Sequence, residues 1–286
     1  MSLKIITDSA ADLPAEIIEE YGITVLPLLV TYGDEAYEDG VTMKPKTLFD
    51  NMREGAVYKT AQVPVGTFID EFRNCVKEKN DAIYIGFSSE LSGTYQGAVM
   101  AQKQVLSNKP DITIDVIDTK CASLGFGLVV YYAAKLAKEG GTREEIVDAV
   151  NFYSEHMEHI FTVDDLEYLY RGGRVSKTAA FVGGLLNIKP ILDVEDGKLI
   201  PLEKKKGRKR VLKRMLEIME ERGVNLAGQT VAISHGDDLE TAEKLQEMIK
   251  EEFGTSDFVI NTIGAAIGAH AGPGTIALFF LNELRS

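Results

Sequence analysis

The sequence predicts an α/β protein in two parts: a three-layer α/β/α parallel-sheet domain over residues 1–160, then a two-layer α/β domain with a mixed sheet over residues 161–286. Three observations lead there. Short β-branched apolar runs alternate with longer amphipathic stretches through the first half, the pattern of strand–helix–strand units that build a parallel sheet covered on both faces. In the second half a hairpin signal, Glu195-Asp196-Gly197, stands between two apolar runs and breaks that pattern. The length, 286 residues, suits one large or two medium domains with a real core.

Residues 3–7 read as a strand and 12–21 as a helix closed by Gly22. Residues 23–31 are apolar and β-branched, a strand in which Pro27 forces an edge position or a break. Helices follow at 46–53 and 65–79. Residues 82–87 form a short buried strand, and 94–106 a helix with Ala98, Ala101 and Val105 on its apolar face. After a strand at 112–117 come helices at 124–138 and 143–157, the second opened by a Thr142/Glu145 capping box. Beyond a strand at 159–163, residues 164–170 read as a short helix ending at Gly172-Gly173. Strands at 189–194 and 198–202 flank the hairpin turn, and a basic helix covers 208–222. Strands at 231–234 and 258–262 enclose a charged helix at 239–253. Residues 275–281 are the most apolar part of the tail, too short to span a bilayer.

Composition narrows the function. Hydrophobic content is 45% and charged content 26%, as in ordinary soluble domains. A net charge of −13 disfavours nucleic acid or an anionic membrane as the main partner. Cys75 and Cys121, the only cysteines, lie in no CxxC pair and have no histidine at ligand spacing, so two reduced thiols and no metal site are expected. Lys4, Asp8, Asp12 and Pro14 interrupt any export signal at the start, and the expected location is the cytoplasm.

Three segments carry chemistry. The first, residues 87–96, joins a strand to a helix at the carboxyl end of the sheet, where ligands bind. Its hydroxyls (Ser88, Ser89, Ser92, Thr94) and Gly93 face the unpaired N–H groups of a helix start, a natural anion site. The GxxxxGK[ST] pattern is absent and the loop holds no Lys or Arg, which suits a singly charged carboxylate better than a triphosphate. Equally, Ser92 can be a plain helix cap. The second, Lys59-Thr60-Ala61-Gln62-Val63-Pro64, offers one more hydroxyl ahead of a helix. The third places His270 among Gly268, Gly272 and Gly274, where small residues leave room for a ligand or another backbone. Its imidazole can donate to a carboxylate or move a proton; a packing histidine is the plainer alternative.

Taken in order, these pieces resemble the DegV family. The resemblance covers essentially the whole chain. It is carried by Thr7-Asp8-Ser9 with Asp12-Leu13, Thr60-x-Gln62, Ser88-Ser89-x-Leu91-Ser92-Gly93-Thr94-Tyr95, and Asp118-Thr119 with Gly125 and Gly127. It continues in Leu169-x-x-Gly172-Gly173-Arg174, Leu186-x-Ile188-Lys189-Pro190-Ile191-Leu192 and His270-x-Gly272-Pro273-Gly274. The resemblance implies a fatty-acid-binding subunit of bacterial fatty acid kinase, without a cofactor and without catalysis of its own. Thr60 and Ser92, with Gly93, Thr94 and His270 close by, would hold the carboxylate of one long-chain fatty acid. A separate ATP-dependent kinase would phosphorylate it, giving an acyl-phosphate for phospholipid synthesis. Two departures stand out: the family's usual Thr-Ser-Gln-Pro-Ser is Thr60-Ala61-Gln62-Val63-Pro64 here, and its frequent Gly-Thr-His is Gly268-Ala269-His270.

A sixteen-carbon tail can contribute on the order of 12 kcal/mol at about 0.8 kcal/mol per methylene, before ordering costs. The tail would dominate affinity and a few neutral hydrogen bonds would orient the head. Candidate tunnel residues are Leu26, Leu28, Leu29, Phe126, Phe161, Phe181, Leu185 and Ile267, each of which also reads as ordinary core. Candidate partner-docking residues are Arg171 and Arg174 beside the glycine pair, and Lys205 and Arg208 in the basic stretch 204–210. Three other classes stay open: a serine hydrolase or acyltransferase using Ser92 and His270, without a G-x-S-x-G elbow; a dihydroxyacetone-kinase-like enzyme, without visible magnesium-ligand spacing; and a DNA-binding regulator, against the net charge.

Overall fold

The computed structural model describes residues 3–107, 110–176 and 188–285. Its first sheet is parallel throughout, in the order β2-β1-β6-β7. β1 spans Leu3–Asp8, α1 Ala15–Tyr21 and β2 Thr24–Leu26. The run expected as one strand at 23–31 is two. Pro27 has no N–H to give to a ladder, and beyond it β3 (Leu29–Tyr32) leaves for a separate three-stranded antiparallel sheet. Its partners there are β4 (Glu35–Glu38) and, after α2 (Pro45–Arg53), β5 (Lys59–Ala61). The register sets Thr60 opposite Val30.

α3 (Val65–Glu78), β6 (Asp81–Gly86), α4 (Thr94–Leu106) and β7 (Ile114–Asp118) complete the first layer system. α5 (Leu124–Lys138) is buried at every position from Leu124 to Val130, so it is apolar on all sides. Such a helix needs cover all round, and it lies between the two large sheets, touching β1 on one side. α6 (Arg143–His156) begins with the Thr142/Glu145 capping box.

The second sheet is mixed, in the order β10-β9-β8-β13-β11-β12. β8 is Met157–Thr162, α7 Leu166–Arg171, β9 Ile188–Glu195 and β10 Lys198–Lys206. α8 (Arg208–Arg222), β11 (Val231–His235), α9 (Leu239–Phe253) and β12 (Phe258–Thr262) follow. As with β4 and β5 in the first half, α10 (Ala265–Ala271) and β13 (Ile276–Leu281) went unread in the sequence. β13 runs antiparallel between β8 and β11. Its alternate residues Ile276, Leu278 and Phe280 join the core under α8 and α9, while Ala277, Phe279 and Leu281 join the core that runs through α5 to the first sheet. Among the described residues, no helix is long and apolar enough to cross a membrane.

Candidate functional site

A cavity of about 90 Å³ lies between the sheets, several times the ~10–15 Å³ one water needs. Its wall is mostly carbon: Leu28, Phe87, Leu91, Phe161, Leu169, Val194, Leu199, Ile263, Ala266, Ile267 and Phe279 among others. Of the expected tunnel residues, Leu28, Phe161 and Ile267 lie in this wall. Leu26 and Phe126 are buried in the core instead, Phe126 stacked behind Phe87 at 5.9 Å between ring centres. Phe181 and Leu185 fall outside the described residues.

Thr60, Ser92, His270 and Arg174 all line the cavity. β5 brings Thr60 in from the small sheet, and α10 brings His270 from its last turn. Thr60 Oγ1 and His270 Nε2 are 2.7 Å apart, across 210 residues of sequence. Burial pushes the imidazole down to about 4, with the positive charge of Arg174 acting the same way, so the ring is neutral near pH 7. Gly172 is what lets it sit there: a Cβ at that position would collide with His270 Nδ1.

The serine loop is built differently from the expected four-hydroxyl cradle. Ser88 Oγ donates to Gly197 O at 2.8 Å, and Lys120 Nζ donates to Ser89 Oγ at 2.7 Å, so both belong to the seam with the β9–β10 hairpin. Thr94 is fully buried behind Ser92, their hydroxyls 2.8 Å apart, while the backbone N–H of Val63 reaches Thr94 Oγ1 at 3.4 Å. Only Ser92 of the four reaches the cavity. The helix N-cap falls on Gly93, and Ser92 Oγ accepts the Thr94 N–H at 3.3 Å. Ser92 is therefore partly a cap and still faces the cavity. Gly93 makes room for a side chain, not a ligand, because a Cβ there would strike the Gln62 carboxamide. The space beside Gly268, Gly272 and Gly274 is likewise taken by Phe49, Tyr168 and Asp164.

The missing local cation comes from a distant segment. Arg174 donates to Leu91 O from Nε (3.2 Å) and Nη2 (2.9 Å), and to Gly172 O from Nη1. All these acceptors are neutral carbonyls, and among the described residues no carboxylate pairs with it. A half-buried guanidinium so held keeps its full charge for an anion. The sequence reading placed Arg174 outside, as a docking residue; its fixed spacing after the glycine pair was the only signal. The other docking candidates are engaged: Arg171 with Glu167 at 3.2 Å, Lys205 with Glu203 at 2.9 Å, and Arg208 with Asp164 at 3.1 Å and Asp238 at 2.5 Å. Behind Thr60, His270 and Arg174 opens a recess of about 440 Å³ lined also by Lys59, Tyr168 and Arg171. Among the described residues no metal-holding group of His, Cys, Asp or Glu occurs.

Residues 2–283 match the family model described as "Uncharacterised protein, DegV family". The chain belongs to the DegV family. A DegV domain-containing protein of Clostridium perfringens is 43% identical over 284 residues, covering 98% of both chains. Two crystal structures overlay closely. DegV, a fatty acid binding protein from Bacillus subtilis, is 30% identical with a TM-score of 0.87 over 98% of each chain. A stearic acid-binding protein from Eubacterium ventriosum is 26% identical with a TM-score of 0.88, over 98% of this chain and 97% of the other. The DegV motif at the start of the chain gains a structural role. Asp12 Oδ1 accepts Gly264 N at 2.7 Å and Asp39 Oδ1 accepts Ala265 N at 2.7 Å, while Ser9 Oγ donates to Asp39 Oδ2 at 2.8 Å. Two buried carboxylates thus hold the start of α10, the helix that ends in His270. Negative charge is favoured there, although burial raises the pKa of both.

The Ser92–His270 pairing that a hydrolase needs is not formed. Ser92 bonds to Thr94, and the imidazole bonds to Thr60.

Proposed function

We propose that this protein binds one long-chain fatty acid in the cavity, with the carboxylate at Thr60, Ser92 and His270 and the tail along the apolar wall. One observation carries the reading: two hydroxyls, a neutral imidazole and an Arg174 that, among the described residues, is held by carbonyls alone all line one mostly apolar cavity. Orientation follows from charge, since Arg174 stands at this end, while the other polar part of the wall, Ser123 and Ser234 in front of buried Asp12, holds no cation among the described residues. In the Nε2–H tautomer His270 donates to Thr60 Oγ1, which leaves the Thr60 proton for the ligand. Ser92 accepts the Thr94 N–H and turns its own proton inward. Residues 1–160 supply Thr60 and Ser92, and residues 161–286 supply Arg174 and His270, so the head group ties two domains together.

The protein acts as a carrier in the cytoplasm. It presents the carboxylate to a separate ATP-dependent kinase that forms the acyl-phosphate. The recess behind the head group supports this, because it reaches Thr60 and His270 from outside through a rim bearing Lys59 and Arg171. Arg171 and the basic stretch with Lys205 and Arg208 are the surface we assign to that partner. A titration of lipid-stripped protein with octadecanoic acid and its methyl ester tests the head-group assignment. The free acid is expected to bind about tenfold tighter, and Thr60→Val with Ser92→Ala to shrink the difference. Equal binding of acid and ester to the unaltered protein would refute it.

A further inference from the structure

Away from the head group, four polar side chains among the described residues line the cavity: Thr275, His159, Ser123 and Ser234. The first two are spent on backbone. Thr275 Oγ1 donates to Ala271 O at 3.0 Å and Gly272 O at 2.9 Å. His159 is neutral, driven down to about 4 by burial; Nδ1 lies 2.9 Å from Met157 O and Nε2 accepts from Ala122 N at 3.2 Å. Ser123 and Ser234 differ. Their hydroxyls lie 2.9 Å apart, and Ser123 Oγ lies 2.5 Å from Asp12 Oδ2. Among the described residues the chain Asp12–Ser123–Ser234 stops at Ser234 Oγ, at the cavity wall, with hydrogen-bonding capacity left over.

α10 gives the scale. Asp12 also holds Gly264, at the start of that helix, and His270 is near its end. Six residues at 1.5 Å put the two ends about 9 Å apart. The hydroxyl pair therefore faces the interior of a bound acyl chain and not its carboxylate.

Resting on the fatty-acid reading above, we propose that Ser123 and Ser234 form a second polar subsite, which takes a hydroxyl group borne part-way along the acyl chain. A hydroxyl is donor and acceptor at once, so it completes the Asp12–Ser123–Ser234 chain whichever way its protons run; a methylene completes neither. An apolar wall elsewhere leaves a misplaced hydroxyl buried without a partner, which is costly. The preferred ligand class is thus the mid-chain hydroxy fatty acid, selected by hydroxyl position.

The test is competition binding on lipid-stripped protein, using octadecanoic acid and a series of its monohydroxy isomers. One narrow run of positions is expected to bind about tenfold tighter than isomers hydroxylated to either side. Ser234→Ala should lower the ratio of the best isomer to octadecanoic acid by about the same factor. A smooth dependence on position, or a best-isomer ratio unmoved by Ser234→Ala, would overturn the subsite and leave the fatty-acid reading standing. Failure of octadecanoic acid and every isomer to bind would overturn both.

Discussion

His270 is uncharged because the fold buries it and sets Arg174 beside it. That has a pH consequence. An imidazole with an ordinary pKa near 6.5 when unfolded and about 4 when folded leaves the unfolded chain holding the extra proton in between. Its contribution to stability is fully present above pH 6.5 and is lost as pH falls toward 4, at up to about 1.4 kcal/mol per pH unit. His159 behaves alike. His270→Gln is expected to flatten the part of the urea-midpoint dependence that falls with pH between 7 and 5, with His159 and His235 still contributing in the same direction and the buried Asp8, Asp12 and Asp39 in the opposite one; an unchanged slope would contradict the buried neutral ring. At this scale Thr60, Ser92 and His270 were legible as residue types in suggestive loops. The fate of Ser88 and Ser89 was not, because their partners, Gly197 in the hairpin turn and Lys120 just after β7, are set by tertiary packing, not by neighbours in sequence.

α10 is the element on which the site turns. Its sequence, Ala265-Ala-Ile-Gly-Ala-His-Ala271, has no contrast between faces, so periodicity could not reveal a helix. β13 escaped for the opposite reason: buried on both faces, it shows only an apolar run. By contrast α4, α5, α8 and α9 were read with their bounds intact, since long helices carry their pattern locally. β4 and β5 are too short to show one. α10 packs on α2 through Gly268, where a Cβ would meet the Phe49 ring and Leu48. Gly268→Val is therefore expected to cost about 1–3 kcal/mol by overpacking. It should also speed hydrogen exchange at the His270 amide as the helix shifts. A variant with native stability and exchange would show that α10 is not clamped in this way.

Across the whole molecule, two sheets of different construction close on one buried helix, and the cavity forms where their loops and α10 meet. The parallel first sheet and mixed second sheet were legible from strand–helix alternation and from the Glu195-Asp196-Gly197 turn. The cavity was not, since wall and core draw on the same residue types: Phe161 lines it while Phe126 backs it. The acidic surface, with a net charge of −13, repels anionic aggregates in general and leaves selection of a single carboxylate to the mouth. Organic extraction of the purified protein followed by mass spectrometry addresses this most directly. Close to one fatty acid per chain is the expected result; a chain free of lipid, or carrying a nucleotide or sugar phosphate in its place, would contradict it.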